Sequence, residues 1–143
     1  MQATPYLFFN GRCEEALDFY QTHLGAETTM MMRYSESPQP CAEGMIPSGW
    51  EQKVMHASWR LGQTEMMASD GNSPQPQPMT GAALAITAPD DAAAERMFAA
   101  LSDGGQVQMP MMETFFATRF GMVADRFGVS WMVMCPKAES RPD

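Results

Sequence analysis

The chain has two histidines, and His56 is the main candidate for acid–base chemistry. It lies in a predicted strand, in which Val54, His56 and Ser58 share one face because side chains alternate. If that face lines a binding site, His56 is expected to act as a catalytic acid or base or as a donor to a ligand. The alternative is a partly buried histidine that is hydrogen-bonded within the sheet.

Three further polar residues lie in otherwise apolar segments and are candidates for binding a substrate: Asp70, Glu113 and Arg119. The planar guanidinium of Arg119 suits an anionic substrate, although it could instead pair with Asp125 or Glu113 as a structural bridge. Asp70 ends a predicted strand directly before a glycine. It could therefore equally accept backbone N–H bonds in a turn.

Aromatic side chains could form the wall of a pocket for a flat or apolar ligand. Trp59, Phe116 and Phe120 are assigned to that wall, with Trp131 as a further member. The alternative is that these rings belong to the ordinary core.

Composition restricts the possible partners. The net charge of −8 and a pI near 4.6 argue against nucleic-acid binding and against docking on anionic membranes. No apolar segment approaches the roughly 18–20 residues that span a bilayer, and the start has no signal-peptide pattern, so a cytoplasmic location is expected. The three cysteines form no CxxC and are expected to be reduced thiols.

Methionine is unusually frequent, with 16 residues. Most are expected to fill irregular gaps in the core, because the thioether side chain is flexible and apolar. The alternative is a site for a soft metal ion.

Hydrophobic periodicity and turn residues predict the same order of elements twice. Helices are expected over residues 13–24 and 90–101, and strands over 4–11, 26–34, 53–61, 64–70, 81–88, 106–113, 117–125 and 130–135. A long loop, 35–52, contains Cys41 and Glu43, and Glu43 could fold over the site. Cys41 has no basic neighbour in sequence that would favour a nucleophilic role.

An internal repeat relates the two halves. A shift of 79 residues places Leu7 on Ile86, Phe19 on Phe98 and Gly25 on Gly104. The prediction is an α+β domain over residues 4–135, built from two βαβββ modules (4–70 and 81–135) with a proline-rich linker (71–80) and a flexible tail (136–143). The curved mixed sheets of the two modules are expected to form a shared cup.

The chain resembles the vicinal oxygen chelate superfamily, which includes glyoxalase I, bleomycin-resistance proteins and extradiol dioxygenases. Within it the PhnB-like branch is the most similar. The resemblance rests on residues 5–11 (PYLFFNG), 16–20 (ALDFY), 24–27 (LGAE), 53–57 (KVMHA), 67–70 (MASD), 105–107 (GQV), 120–129 (FGMVADRFGV) and 131–132 (WM).

The resemblance implies a homodimer and, in metal-using relatives, four His, Glu or Gln ligands on the first and last strands of each module. The matching positions here are Thr4 or Pro5, Met66 or Met67, Leu84, and Met132. None offers an imidazole or carboxylate, so no divalent metal and no cofactor are expected. A displaced site using His56 with Asp70 or Glu113 is the alternative. Members of the branch often carry a name implying methyl transfer, but the chain has no Gly-rich turn of the nucleotide-binding kind.

The sequence therefore predicts a small-molecule ligand in the cup, with His56 as the catalytic candidate if a reaction occurs. Whether the chain is an enzyme stays open. The alternatives are a sequestering protein, as in bleomycin resistance, and a metal-dependent lyase or dioxygenase with a displaced site.

Overall fold

A computed structural model describes residues 1–39 and 44–138. The chain divides into two compact units, Met1–Gln77 and Pro78–Asp143. Each unit consists of one helix and a mixed sheet of four strands in the order β-α-β-β-β. In the described residues, no helix is long and apolar enough to cross a membrane.

The first unit is built from β1 (Tyr6–Phe8), α1 (Cys13–Leu24), β2 (Glu27–Arg33), β3 (Val54–Leu61) and β4 (Thr64–Ser69), with a short 3-10 helix at Tyr34–Glu36. The strand order is β1-β4-β3-β2. Strand β1 runs parallel to β4, and the other pairs are antiparallel.

Helix α1 covers one face of this sheet. Its buried stripe includes Ala16, Leu17 and Tyr20, spaced as an amphipathic helix requires. The Tyr20 ring stacks on Trp59 of β3 with centroids 5.3 Å apart. The helix ends at Gly25, whose φ of 73° is the left-handed conformation that glycine adopts without steric cost.

The second unit is built from β5 (Leu84–Thr87), α2 (Asp91–Ser102), β6 (Gln106–Met112), β7 (Ala117–Ala124) and β8 (Ser130–Pro136). Its strand order, β5-β8-β7-β6, repeats the pattern of the first unit, again with one parallel pair. Helix α2 begins after Asp90, whose carboxylate accepts the Ala93 N–H at 2.7 Å.

Both predicted helices and all eight predicted strands are present, which confirms the α+β fold of two βαβββ modules. Strand β1 is shorter than expected because the chain turns at Asn10, which has a φ of 55°. The repeat register of the helices also differs by one residue. Tyr20, rather than the half-buried Phe19, is the buried counterpart of Phe98.

The prediction that methionines fill the core is wrong. All 16 methionines lie within the described residues, where Met66 is buried and the other 15 are half-buried or exposed. Branched and aromatic residues form the core instead, including Leu17, Val123 and Trp131.

Candidate functional site

His56 lies on the face of the first sheet that is opposite α1, here called the distal face. Its neighbours in β3, Ala57 and Trp59, are buried on the helix side. His56 pairs with Met32 of β2, and Tyr6 of β1 pairs with Met67 of β4. Paired residues share a face, so these four side chains lie together on the distal face.

Tyr6 and His56 are joined by a hydrogen bond of 2.9 Å between the phenol oxygen and Nδ1. The Tyr6 ring also stacks on Phe8, with centroids 5.1 Å apart. Tyr6 is 37% exposed and Phe8 is 57% exposed. The distal face thus presents two stacked rings and an imidazole to a ligand.

Burial raises the pKa of the Tyr6 phenol, while a hydrogen bond with Ser69 acts in the opposite direction. The phenol is therefore protonated at neutral pH and can donate to Nδ1 of His56. A neutral imidazole that accepts at Nδ1 carries its proton on Nε2. In the tautomer that accepts from Tyr6 at Nδ1, the Nε2–H group can donate to an oxygen of a bound molecule.

A cleft of about 500 Å³ lies beside Phe8. It is lined by aromatic and amide side chains and by the turn after β4: Phe8, Asn10, Tyr34, Gly71, Asn72, Ser73 and Gln77. The Asn10 amide donates to the Ser73 carbonyl at 3.1 Å, and the Tyr34 hydroxyl donates to the Gly71 carbonyl. These bonds hold the cleft's polar wall in place next to the exposed ring of Phe8.

Asp70 is not part of this open surface. Its side chain is 1% exposed. One carboxylate oxygen accepts the N–H groups of Gly11 and Cys13, and the other accepts that of Val54, each at 2.8 Å. The sequence left Asp70 either as a substrate-binding residue or as an acceptor of backbone N–H bonds, and the structure shows the second role.

The same bonds bear on the methyl transfer that the branch's usual name implies. In nucleotide-binding folds, the N–H groups of the first strand-to-helix turn face the ligand. Here the N–H groups of Gly11 and Cys13 are held by Asp70, and the start of α2 is capped by Asp90. These turns do not fit a nucleotide-like methyl donor.

Trp59 lies on the opposite face of the sheet from His56. It is 1% exposed and packs beneath α1. Its indole Nε1 is a buried polar atom with no hydrogen-bond partner among the described residues.

Arg119 and Glu113 belong to the second unit, and neither has the partner expected from the sequence. Arg119 Nε lies 3.0 Å from Glu95 of α2, and its NH1 lies 3.7 Å from Asp91. Glu113 pairs with Lys137 at 3.2 Å. The predicted ion pairs of Arg119 with Asp125 or Glu113 are therefore wrong. Arg119 lies on the face of β7 that α2 covers, so it pairs with acidic residues of that helix.

Phe116 and Phe120 are in contact, with an edge-to-face arrangement and centroids 5.3 Å apart. Phe120 pairs with Met134 on the face of the second sheet opposite α2. Trp131, on the α2 side, is 1% exposed. The proposed aromatic wall thus comprises residues from different faces and from both units.

The positions matched to the superfamily's metal ligands, none of which carries an imidazole or a carboxylate, lie on or beside the first and last strands of each unit. Met67 pairs with Tyr6, and Met132 pairs with Ala85. Among residues 1–39 and 44–138, no three His, Cys, Asp or Glu side chains are grouped to hold a metal ion. Cys41 and Glu43 lie outside the described residues.

Two paired βαβββ modules are the architecture of the glyoxalase and bleomycin-resistance class. A glyoxylase/bleomycin resistance protein/dioxygenase domain from Frankia sp. EAN1pec matches with a TM-score of 0.64 and 12% identity, over 96% of this chain and 98% of that one. The fosfomycin resistance protein FosX from Mesorhizobium loti matches with a TM-score of 0.63 and 10% identity, over 99% and 95%. At these identities the likeness shows the fold alone.

The family model described as 3-demethylubiquinone-9 3-methyltransferase matches residues 1–134, and the chain belongs to this family. Protein YjdN from Escherichia coli K12 is 32% identical over 97% of this chain and 98% of that protein. Protein PA1353 from Pseudomonas aeruginosa has a TM-score of 0.80 and 43% identity, covering 94% of this chain and 97% of that one. The PhnB protein from Bacillus cereus has a TM-score of 0.79 and 28% identity, covering 94% and 99%.

Proposed function

We propose that this chain binds a flat, largely apolar small molecule on the distal face of the first sheet. The hydrogen bond between Tyr6 and His56 is the observation that carries the proposal. Without this bond, the Tyr6 hydroxyl and the His56 imidazole would be two separate polar groups on the sheet. The bond instead orients the imidazole beside a pair of stacked rings.

The ligand class follows from the chemistry of this surface. The stacked rings of Tyr6 and Phe8 favour contact with an aromatic or conjugated plane. Nε2–H of His56 favours an acceptor oxygen at the edge of that plane, such as a carbonyl or an anionic oxygen. Met32 and Met67 add flexible apolar contact around it.

The test uses 8-anilinonaphthalene-1-sulfonate, a planar aromatic probe with acceptor oxygens, and protein labelled with ¹³C at the methionine methyl groups. The probe is expected to shift the methyl signals of Met32 and Met67. His56→Ala and Phe8→Ser should each weaken binding about tenfold, since each removes one positioned contact.

Phe115→Ser is the matched control, because Phe115 is 90% exposed and lies in the second unit. It should leave probe affinity unchanged, and circular dichroism should show all three variants folded. Equal affinity in His56→Ala and the unaltered protein, or methyl shifts confined to the second unit, would overturn the proposal.

A further inference from the structure

Three methionines stand side by side across the second sheet. Met109 of β6 pairs with Met122 of β7, which pairs with Met132 of β8. They are called here the methionine row. An adjacent row contains Met112, Phe120 and Met134, paired in the same way. Five thioethers thus occupy two neighbouring rows of one sheet.

The methionine row lies on the face opposite α2. A Cβ atom at Gly121 would lie 2.7 Å from the Phe98 ring of α2, so position 121 faces the helix. Met122 follows it in the strand and therefore faces away. All three members of the row are half-buried rather than part of the core.

Packing against α2 does not account for the choice of methionine. On β7 and β8, the side chains that face α2 include Val123, Trp131 and Val133, all 1% exposed or less. The opposite faces of the same strands carry Met122, Met132 and Met134. Thioethers are thus concentrated on the face of the sheet that α2 does not cover.

The geometry of the row suits one ion. Directly paired residues on neighbouring strands have Cβ atoms about 4.5–5.5 Å apart. A methionine side chain has about three rotatable bonds, so sulfur atoms from three adjacent strands can converge without movement of the backbone. Neutral thioether sulfur is a poor ligand for hard divalent cations and selects Cu(I).

We propose that Met109, Met122 and Met132 bind one Cu(I) ion through their three sulfur atoms. This site uses other residues than the ligand site on the first sheet. The buried thiols do not compete for the ion. Cys13 and Cys135 are inaccessible, and burial raises the pKa of Cys13 so that it stays a protonated thiol.

The experiment titrates the whole chain, carrying Cys41→Ser, with Cu(I) supplied as its acetonitrile complex under nitrogen. The ¹³C-methyl signals of Met109, Met122 and Met132 are expected to shift together and to saturate at one equivalent. Ag(I), which has the same preference for sulfur and does not oxidise, should shift the same signals.

Met122→Leu removes the central sulfur while keeping a similar volume, and it should weaken Cu(I) binding at least about tenfold. Met45→Leu is the matched control, because Met45 is 60% exposed and lies outside both sheets. It should bind Cu(I) as the parent does. Thermal unfolding should show both variants folded.

Absence of a shift at equimolar Cu(I) would overturn the proposal. So would a shift spread evenly over the methionines of both units, or equal binding by the parent and Met122→Leu. None of these results would bear on the ligand site of the first sheet, whose test uses other residues and another probe.

Discussion

Trp131 and Asp125 are joined by a buried hydrogen bond of 2.9 Å from the indole Nε1 to carboxylate Oδ2. The other carboxylate oxygen of Asp125 accepts the N–H groups of Phe127 at 2.9 Å and Val129 at 3.0 Å. The turn between β7 and β8 is therefore tied to the core through one carboxylate. Trp59, a buried tryptophan on β3 of the first unit, has no such partner for its indole among the described residues.

Replacing each tryptophan by phenylalanine should separate these two cases. Trp131→Phe removes a donor to a buried carboxylate, whereas Trp59→Phe removes an indole N–H for which the described part of the chain offers no partner. Trp131→Phe should therefore cost about 1–3 kcal/mol more in unfolding free energy, since the loss of ring volume is similar. Urea denaturation of the two variants measures the difference. Equal costs would show that the Asp125 bond contributes nothing beyond packing.

Asp70→Asn should destabilise the first unit by about 2–4 kcal/mol, because an amide offers one acceptor oxygen to three backbone N–H groups. Its NH₂ group would also face an N–H donor. Asp103→Asn is the matched control, since that side chain is 81% exposed. Thermal unfolding compares the two. A Tm for Asp70→Asn close to that of the control would contradict the anchoring role.

Gly121→Ala should destabilise the second unit by about 1–3 kcal/mol, because the new methyl group would lie 2.7 Å from the rigid ring of Phe98. The double variant with Phe98→Leu tests the cause. If the ring is the obstacle, the two substitutions together should cost less than the sum of each alone. If the costs of the two substitutions simply add, the strain caused by the added methyl group does not come from the Phe98 ring.

The pair Glu14–Arg33 predicts a pH dependence of stability. The hydrogen bond from Arg33, at 2.7 Å, lowers the pKa of Glu14 below its ordinary value. A carboxyl group with a lowered folded pKa stabilises the protein above its unfolded pKa, and this contribution is lost as the pH falls through the folded pKa. Glu14 is half-exposed, so solvent screening limits the effect to about 1 kcal/mol or less.

Glu14→Gln should accordingly lower the unfolding free energy at pH 7 and match the parent at pH 3. Urea denaturation at both pH values, repeated in high salt, measures this. If the difference in unfolding free energy between parent and variant did not change with pH, the Glu14–Arg33 pair would contribute nothing to stability.

The homodimer expected from the resemblance stays a prediction, which sedimentation would test.

The sequence by itself determined the elements and the family. The helix at Cys13–Leu24 follows from apolar residues spaced three and four apart, and the glycine after it marks its end. The repeat of element order predicted two βαβββ modules, since local periodicity and turn residues are properties of neighbouring positions. The motifs around residues 5–27 and 120–132 were sufficient to indicate the superfamily.

The tertiary structure alone decided which side chains meet. Tyr6 and His56 are 50 residues apart and touch because β1 pairs in parallel with β4 at the edge of the sheet, which no local pattern indicates. Alternation showed that His56 and Trp59 lie on different faces, but only the packing of α1 decided which face is covered. Arg119 likewise pairs with α2 because helix packing, rather than nearness in sequence, places acidic side chains beside it.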